Sequence, residues 1–283
     1  MKKILSILIL SILILGCQSK TSEPNASDGG EHPSGESADW QLVFEDDFEG
    51  DLSAWNVWTG GAFNEEIQFY QPEQVSLTDD GLLKIAVQRQ ATTGPTTPFD
   101  TTPKDFEYVS GRLESKMLYA PKPQAGKEEL RYMARIKLPA GIGMWPAFWS
   151  YGDPWPTQGE IDVLEARVGE PFKFQSNIFY GTAPGQNLIR EQEAYFELED
   201  DLTADFHVYE LIWTENKLEI LLDGKLMHRY TANAENYIAE LFGKEQKIVL
   251  NTAVGGWFFQ NRDSSTYADE SVMLVDWVRV YQR

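Results

Sequence analysis

The stretch Leu130-Arg131-Tyr132-Met133-Ala134-Arg135-Ile136-Lys137-Leu138 alternates between two kinds of residue. Every even position is apolar or aromatic, whereas the odd positions carry Arg131, Arg135 and Lys137. Successive side chains on a strand point to opposite faces, so the pattern predicts a half-buried antiparallel strand. Similar signals predict strands over 82–89, 108–117, 145–151, 159–167, 174–180, 206–214, 217–222, 225–230, 247–254 and 272–282. Asp223-Gly224 reads as a two-residue hairpin turn between two of them. One short helix is expected near 234–242, and no internal repeat is present. Many short strands at close spacing predict an all-β sandwich or barrel. A sandwich with one concave, aromatic-rich face would suit a polymer lying in a groove.

One predicted strand carries three acids: Gly159-Glu160-Ile161-Asp162-Val163-Leu164-Glu165. Glycosidic bond hydrolysis uses two carboxyl groups facing one sugar, about 5–5.5 Å apart in retaining enzymes. Glu160 and Asp162 share a face on a regular strand, but Glu165 has the opposite parity. One residue bulged out near Val163 or Leu164 would bring all three together. An edge strand with solvated acids explains this segment alone equally well. Rival chemistries lack their residues: there is no Gly-x-Ser-x-Gly elbow, phosphate-binding glycine loop, His-Glu-x-x-His or cysteine pair. Of the three histidines, His207 and His228 fall in predicted strands with no acidic or histidine neighbour at metal-ligand spacing.

Composition bounds the setting. Lys2 and Lys3 precede an apolar run from Ile4 to Leu15, then Gly16 and Cys17, the only cysteine. That is a basic region followed by an apolar core too short to span a bilayer as a mature helix. Ile14-Leu15-Gly16-Cys17 resembles a bacterial lipobox, which implies a signal peptide over 1–16 and a lipid on the Cys17 sulfur. Residues 17–38 are polar and read as a flexible tether. Residues 39–283 are expected to form one β domain, exported and held to a bacterial membrane at the outer membrane or cell surface. The net charge of -20 excludes a basic nucleic-acid footprint and disfavours highly sulfated polysaccharides.

The chain holds nine Trp, twelve Tyr and fifteen Phe, most of them expected in the core. Trp145 and Trp149 share strand parity beside the acidic run, where an indole suits the C–H face of a pyranose. Eight stretches in order resemble glycoside hydrolase family 16, within it the laminarinase-like endo-β-1,3-glucanases. They are Phe44–Phe48, Asn64–Tyr70, Ser110–Leu113, Ala134–Pro139, Trp145–Trp149, Gly159–Glu165, Asn251–Gly256 and Val275–Tyr281. The acidic run is the Glu-x-Asp-x-x-Glu form rather than the Glu-x-Asp-x-Glu form of lichenases.

The resemblance implies a two-sheet antiparallel jelly-roll sandwich, concanavalin A-like, with a concave substrate cleft. It implies Glu160 as nucleophile, Glu165 as general acid and base, and Asp162 as their hydrogen-bonding neighbour. Trp145, Trp149 and Trp257 are implied to stack on sugar, with Arg112, Asn64 and Glu66 donating to or accepting from glycone hydroxyls. Asp276, with backbone oxygens at Asp47 and Gly81, is implied to hold a structural calcium, and no cofactor is required for catalysis. Two departures bear on substrate. Phe179 stands where relatives usually have histidine, and Gly256 runs into Trp257 without the usual spacer. The expected activity is retaining endo-hydrolysis of β-1,3-glucan by a monomer. A red-algal galactan such as agarose or porphyran, transglycosylation, and a non-catalytic glycan-binding lipoprotein are the alternatives.

Overall fold

The computed structural model describes residues 39–61, 63–188, 193–233, 237–260 and 263–283. The expected leader, Cys17 and tether lie outside these residues. Period-two alternation becomes seventeen strands among the described residues. In chain order these begin β1 (Gln41–Asp46), β2 (Trp55–Val57), β3 (Gln68–Tyr70), β4 (Val75–Leu77), β5 (Leu83–Thr97) and β6 (Asp100–Ser110). Then come β7 (Arg112–Ser115), β8 (Leu130–Lys137), β9 (Met144–Tyr151), β10 (Glu160–Glu165), β11 (Lys173–Phe179) and β12 (Ala194–Glu197). The last are β13 (His207–Thr214), β14 (Lys217–Leu222), β15 (Lys225–Thr231), β16 (Lys247–Val254) and β17 (Glu270–Gln282). The only α-helix among the described residues is one turn, Ile238–Leu241, preceded by Tyr237 in a left-handed conformation; of the expected span, 234–236 lie outside the described residues.

One sheet runs β15-β14-β13-β8-β17-β5-β6-β3, with β1 also on β17 and β4 on β5. The other runs β12-β11-β10-β9-β16-β7-β2. The two sheets are antiparallel as expected, with one short parallel pair, β3 with β6, among the described residues. The core lies between the sheets. Tyr132, Ala134 and Ile136 of β8 are fully buried opposite Phe148 of β9 and Ile161 of β10. The Tyr132 and Phe148 rings meet edge to face at 5.4 Å, and Tyr132 Oη donates to Ser150 Oγ at 2.9 Å. Burying each large aliphatic side chain here contributes about 1.5–3 kcal/mol. β9 and β10 then present their alternate residues outward, among them Trp145, Trp149 and Glu160, whereas the outward residues of β8 belong to the other sheet.

The expected strand over 108–117 is two strands in opposite sheets, β6 and β7, separated by Gly111. A Cβ on Gly111 would lie 2.6 Å from Val75 Cγ2, so only glycine allows the chain to cross here. The Asp223-Gly224 turn formed as read, with φ of 49° and 74°, the left-handed pair that a tight hairpin needs. Among the described residues no helix is long and apolar enough to cross a membrane.

Candidate active site

The register of β10 decides where its acids point. Glu160 pairs with Tyr151, Asp162 with Trp149 and Glu165 with Ala147 of β9. Those partners are two residues apart and share one face, so the three acids do too. The shift between Asp162 and Leu164 leaves Val163 as the extra residue, and the β11 side shows the same slip. Val163 and Leu164 both turn into the core, each fully buried. The bulge expected from parity is therefore present.

Each outer acid has an indole donor. Trp155 Nε1 donates to Glu160 Oε2 at 2.7 Å, and Trp145 Nε1 to Glu165 Oε1 at 2.9 Å. Gln175 Nε2 adds a bond to Glu165 Oε2 at 3.3 Å. Asp162 between them is buried, and its Oδ2 has no hydrogen-bond partner among the described residues. Burial raises all three carboxyls, Glu160 to about 8 and Glu165 to about 7, against their indole donors. Asp162 rises well above its usual range through burial and then repulsion from Glu165 and Glu160. Burial without a donor on Oδ2 pushes Asp162 toward its neutral form. As a neutral acid it can donate to a neighbouring carboxylate.

This has a consequence for stability. A carboxyl whose folded pKa lies above its unfolded value favours folding at low pH, and that contribution is lost as pH rises through the folded value. Asp162→Asn should therefore melt with wild type near pH 4 and progressively above it as pH rises. A gain of about 1–3 kcal/mol corresponds to a few degrees for a domain of this size. Melting curves from pH 4 to 9 check this, and a constant or reversed difference contradicts it.

The other expected site residues are placed as follows. Trp149 lies on the concave face, its Nε1 donating to Asn251 Oδ1 at 2.7 Å, with Tyr151 stacked beside it at 5.2 Å. Trp145 has one ring face already covered by Phe258, stacked at 4.2 Å, leaving only the other for sugar. Arg112 is 7 % exposed and bonded to Glu114 Oε1 at 2.6 Å, with its guanidinium 4.3 Å from the Trp58 ring and 4.9 Å from that of Trp149. Its first structural job is to brace those two indoles rather than to reach outward. Glu66 is buried and raised to about 7 by that burial, accepting from Gln68 Nε2 at 2.6 Å and Asn64 Nδ2 at 3.4 Å. Gly256 has φ of 66°, and a Cβ there would sit 2.6 Å from the Asn64 carbonyl. That close approach seats Trp257, 62 % exposed, with its N–H donating to Asn64 O at 2.8 Å. Asn64, Glu66 and Trp257 thus form one rim.

The implied metal residues lie elsewhere. The Asp47 carbonyl is 4.0 Å from where a Gly81 Cβ would be, so these two segments meet. Asp276, however, is bonded through Oδ2 to Arg135 Nη1 at 2.5 Å. A guanidinium already supplies the positive charge that calcium would bring, and the residues present fit a dication poorly. Among the described residues no group of three or more His, Cys, Asp or Glu is placed to hold a metal.

Sequence reasoning missed several members. Trp155 sits in the loop before β10, and its place between Pro154 and Pro156 was the available signal. Asn251, Gln175 and Tyr151 are polar positions on strands that alternation alone marks as surface. Lys247 on β16 stands over Tyr151 at 4.8 Å and pairs with Asp153 at 2.8 Å, a further cation beside the site that alternation does not single out. His207 does have an acidic partner, Asp223, at 2.8 Å across the β13–β14 hairpin.

A model of the glycosyl hydrolases family 16 matches residues 63–279. The chain is 30% identical over 274 residues to glucan endo-1,3-beta-glucosidase A1 of Niallia circulans, covering 87% of this chain and 38% of that one. It is 32% identical over 239 residues to the glucan endo-1,3-beta-glucosidase of Cryptopygus antarcticus, covering 78% and 82%. It therefore spans well under half the length of the first relative and most of the second. The endo-beta-1,3-glucanase structure from Pyrococcus furiosus superposes with a TM-score of 0.71 at 30% identity, covering 86% of this chain and 94% of that one. With the bulged acidic strand in place and a match across nearly all of the β domain, the chain belongs to glycosyl hydrolases family 16.

Proposed function

We infer that this domain is a retaining endo-glycoside hydrolase that cleaves β-1,3-linkages in glucan of the laminarin type. The observation that carries the reading is the single-faced triad Glu160, Asp162 and Glu165 with an indole N–H on each outer acid. Glu160 attacks the anomeric carbon while Glu165 protonates the leaving oxygen. Glu165 then takes a proton from the water that releases the glycosyl-enzyme ester. Asp162 donates its proton toward Glu160 and stabilises that carboxylate as the leaving group of the second step.

Neutral glucan is favoured over sulfated galactan by the state of the cleft cations. Arg112 is committed to Glu114, Lys247 to Asp153, and Arg167 Nε to the Phe258 carbonyl at 2.7 Å. A sulfate would have to displace one of these partners. Purified domain incubated with laminarin, mixed-linkage glucan, agarose, porphyran and carrageenan should release products from laminarin well above those from the sulfated porphyran and carrageenan. Phe179 pairs directly with Glu160 across β11 and offers no donor. Phe179→His should raise activity on β-1,3-glucan about two- to tenfold, the worth of one hydrogen bond. Fragmentation of agarose with laminarin left intact contradicts the substrate.

The same proposal places the domain on a lipid anchor at Cys17, after a leader over 1–16 and a tether over 17–38. It is supported by the basic start, the apolar run and the lone cysteine. In an expressing bacterium, wild type should sediment with membranes and Cys17→Ser should not. Equal partition of the two contradicts the anchor.

A further inference from the structure

The longest hairpin among the described residues is β5–β6, and its outer half has a composition of its own. From residue 90 to 103 only Asp100 is charged, while six threonines and three prolines fill the ribbon. At its tip Phe99 is 88 % exposed, the most exposed large hydrophobic of the described residues. Its ring stands 6.4 Å from that of Phe63, itself 42 % exposed. Single exposed apolar residues need no explanation, but a paired aromatic surface over an uncharged, hydroxyl-rich ribbon does.

The pair is continuous with the cleft rim. Gly61 N donates to the Pro95 carbonyl at 3.1 Å, so the loop bearing Phe63 is tied to the hairpin. Asn64, the next residue after Phe63, holds Glu66 by its side chain and Trp257 by its carbonyl. Lys104 Nζ donates to the Glu66 carbonyl at 3.1 Å, fixing the hairpin to the same rim from β6. A chain leaving the cleft past Asn64 and Trp257 therefore meets Phe63 and then Phe99.

We propose that Phe63 and Phe99 form a remote carbohydrate platform that binds distant units of the same neutral polysaccharide held in the cleft. Flat apolar rings suit the C–H faces of pyranoses, threonine hydroxyls suit their hydroxyl edges, and the lack of charge suits an unsulfated chain. The proposal rests on the polysaccharide-hydrolase reading and adds where a long substrate is gripped.

The test compares wild type, Phe99→Ala, Phe63→Ala and the double variant on laminarin and on a short aryl β-glucoside that reaches only the residues around Glu160. Phe99 is largely in solvent and Phe63 is partly so, and melting temperatures, measured for each variant, should stay close to wild type. For the polymer, kcat/KM should fall roughly three- to tenfold per ring through KM, and for the short substrate it should stay within about twofold. Affinity electrophoresis of Glu160→Gln carrying the same substitutions should show the same weakening with no turnover. Unchanged polymer KM, or an equal fall on both substrates, overturns the platform. If wild type cleaves a different polymer from the panel, the comparison is made on that polymer; the glucan assignment then falls while the platform is still judged. A wild type that cleaves none overturns both.

Discussion

Glu160→Ala is expected to lower turnover of polymer by about 10⁴-fold or more, with the fold intact. The carboxylate is the atom source of the covalent intermediate, and nothing beside it can replace it. Asp162 is held protonated by burial and by two acidic neighbours. Glu165 stands on the far side of Asp162 with its own indole and amide donors. Alanine also leaves room where the carboxyl was, so azide should enter and attack a substrate with a good aryl leaving group. Attack from that side gives the α-azide, with inversion. Melting temperature should not fall, because the variant removes a carboxyl whose pKa burial has raised. A near-normal rate on polymer would mean that the nucleophile is another residue.

Much of this site was legible because strand parity is a hard constraint. Glu160 and Asp162 share a face in any regular strand, and Glu165 does so only with one residue extruded, so the bulge at Val163 followed from three letters and their spacing. Alternation likewise located β8, β9, β16 and β17. It failed where alternation carried no information. In β6 the outer half, Asp100 to Asp105, is exposed on both faces and contains Pro103, so nothing in it distinguishes ribbon from loop. Gly111 reads as the interior of one strand because the apolar rhythm continues across it, yet the chain changes sheets there, where only glycine fits against Val75. Contacts between distant segments were invisible for a different reason. That Phe258 covers Trp145 depends on which rotamers meet once the chain has folded.

Glu165→Ala should reduce kcat/KM on polymer about 10²–10⁴-fold, the usual share of general acid catalysis, and much less on aryl glycosides that need no proton. The intermediate on Glu160 would then accumulate, because no base activates water. Added azide should discharge it as the β-azide, with retained configuration and a restored rate. The pH profile tests the same assignment independently. With Asp162 protonated, Glu160 and Glu165 share one further proton, and the productive form has it on Glu165. Burial raises Glu160 further than Glu165, so in the free domain the productive tautomer is the less populated of the two. Arg112 favours charge on Glu160, and on Glu165 the opposing charges of Glu193 and Arg167 act together. With the two carboxyls raised to about 7 and about 8, the singly protonated pair is most populated between those values. Wild type should therefore give a bell centred near neutrality, falling about tenfold per unit on its alkaline side. In the azide-rescued Glu165→Ala variant the alkaline limb should vanish, because the group that must hold a proton is gone. An alkaline limb that survives the substitution would assign the proton donor to a residue other than Glu165.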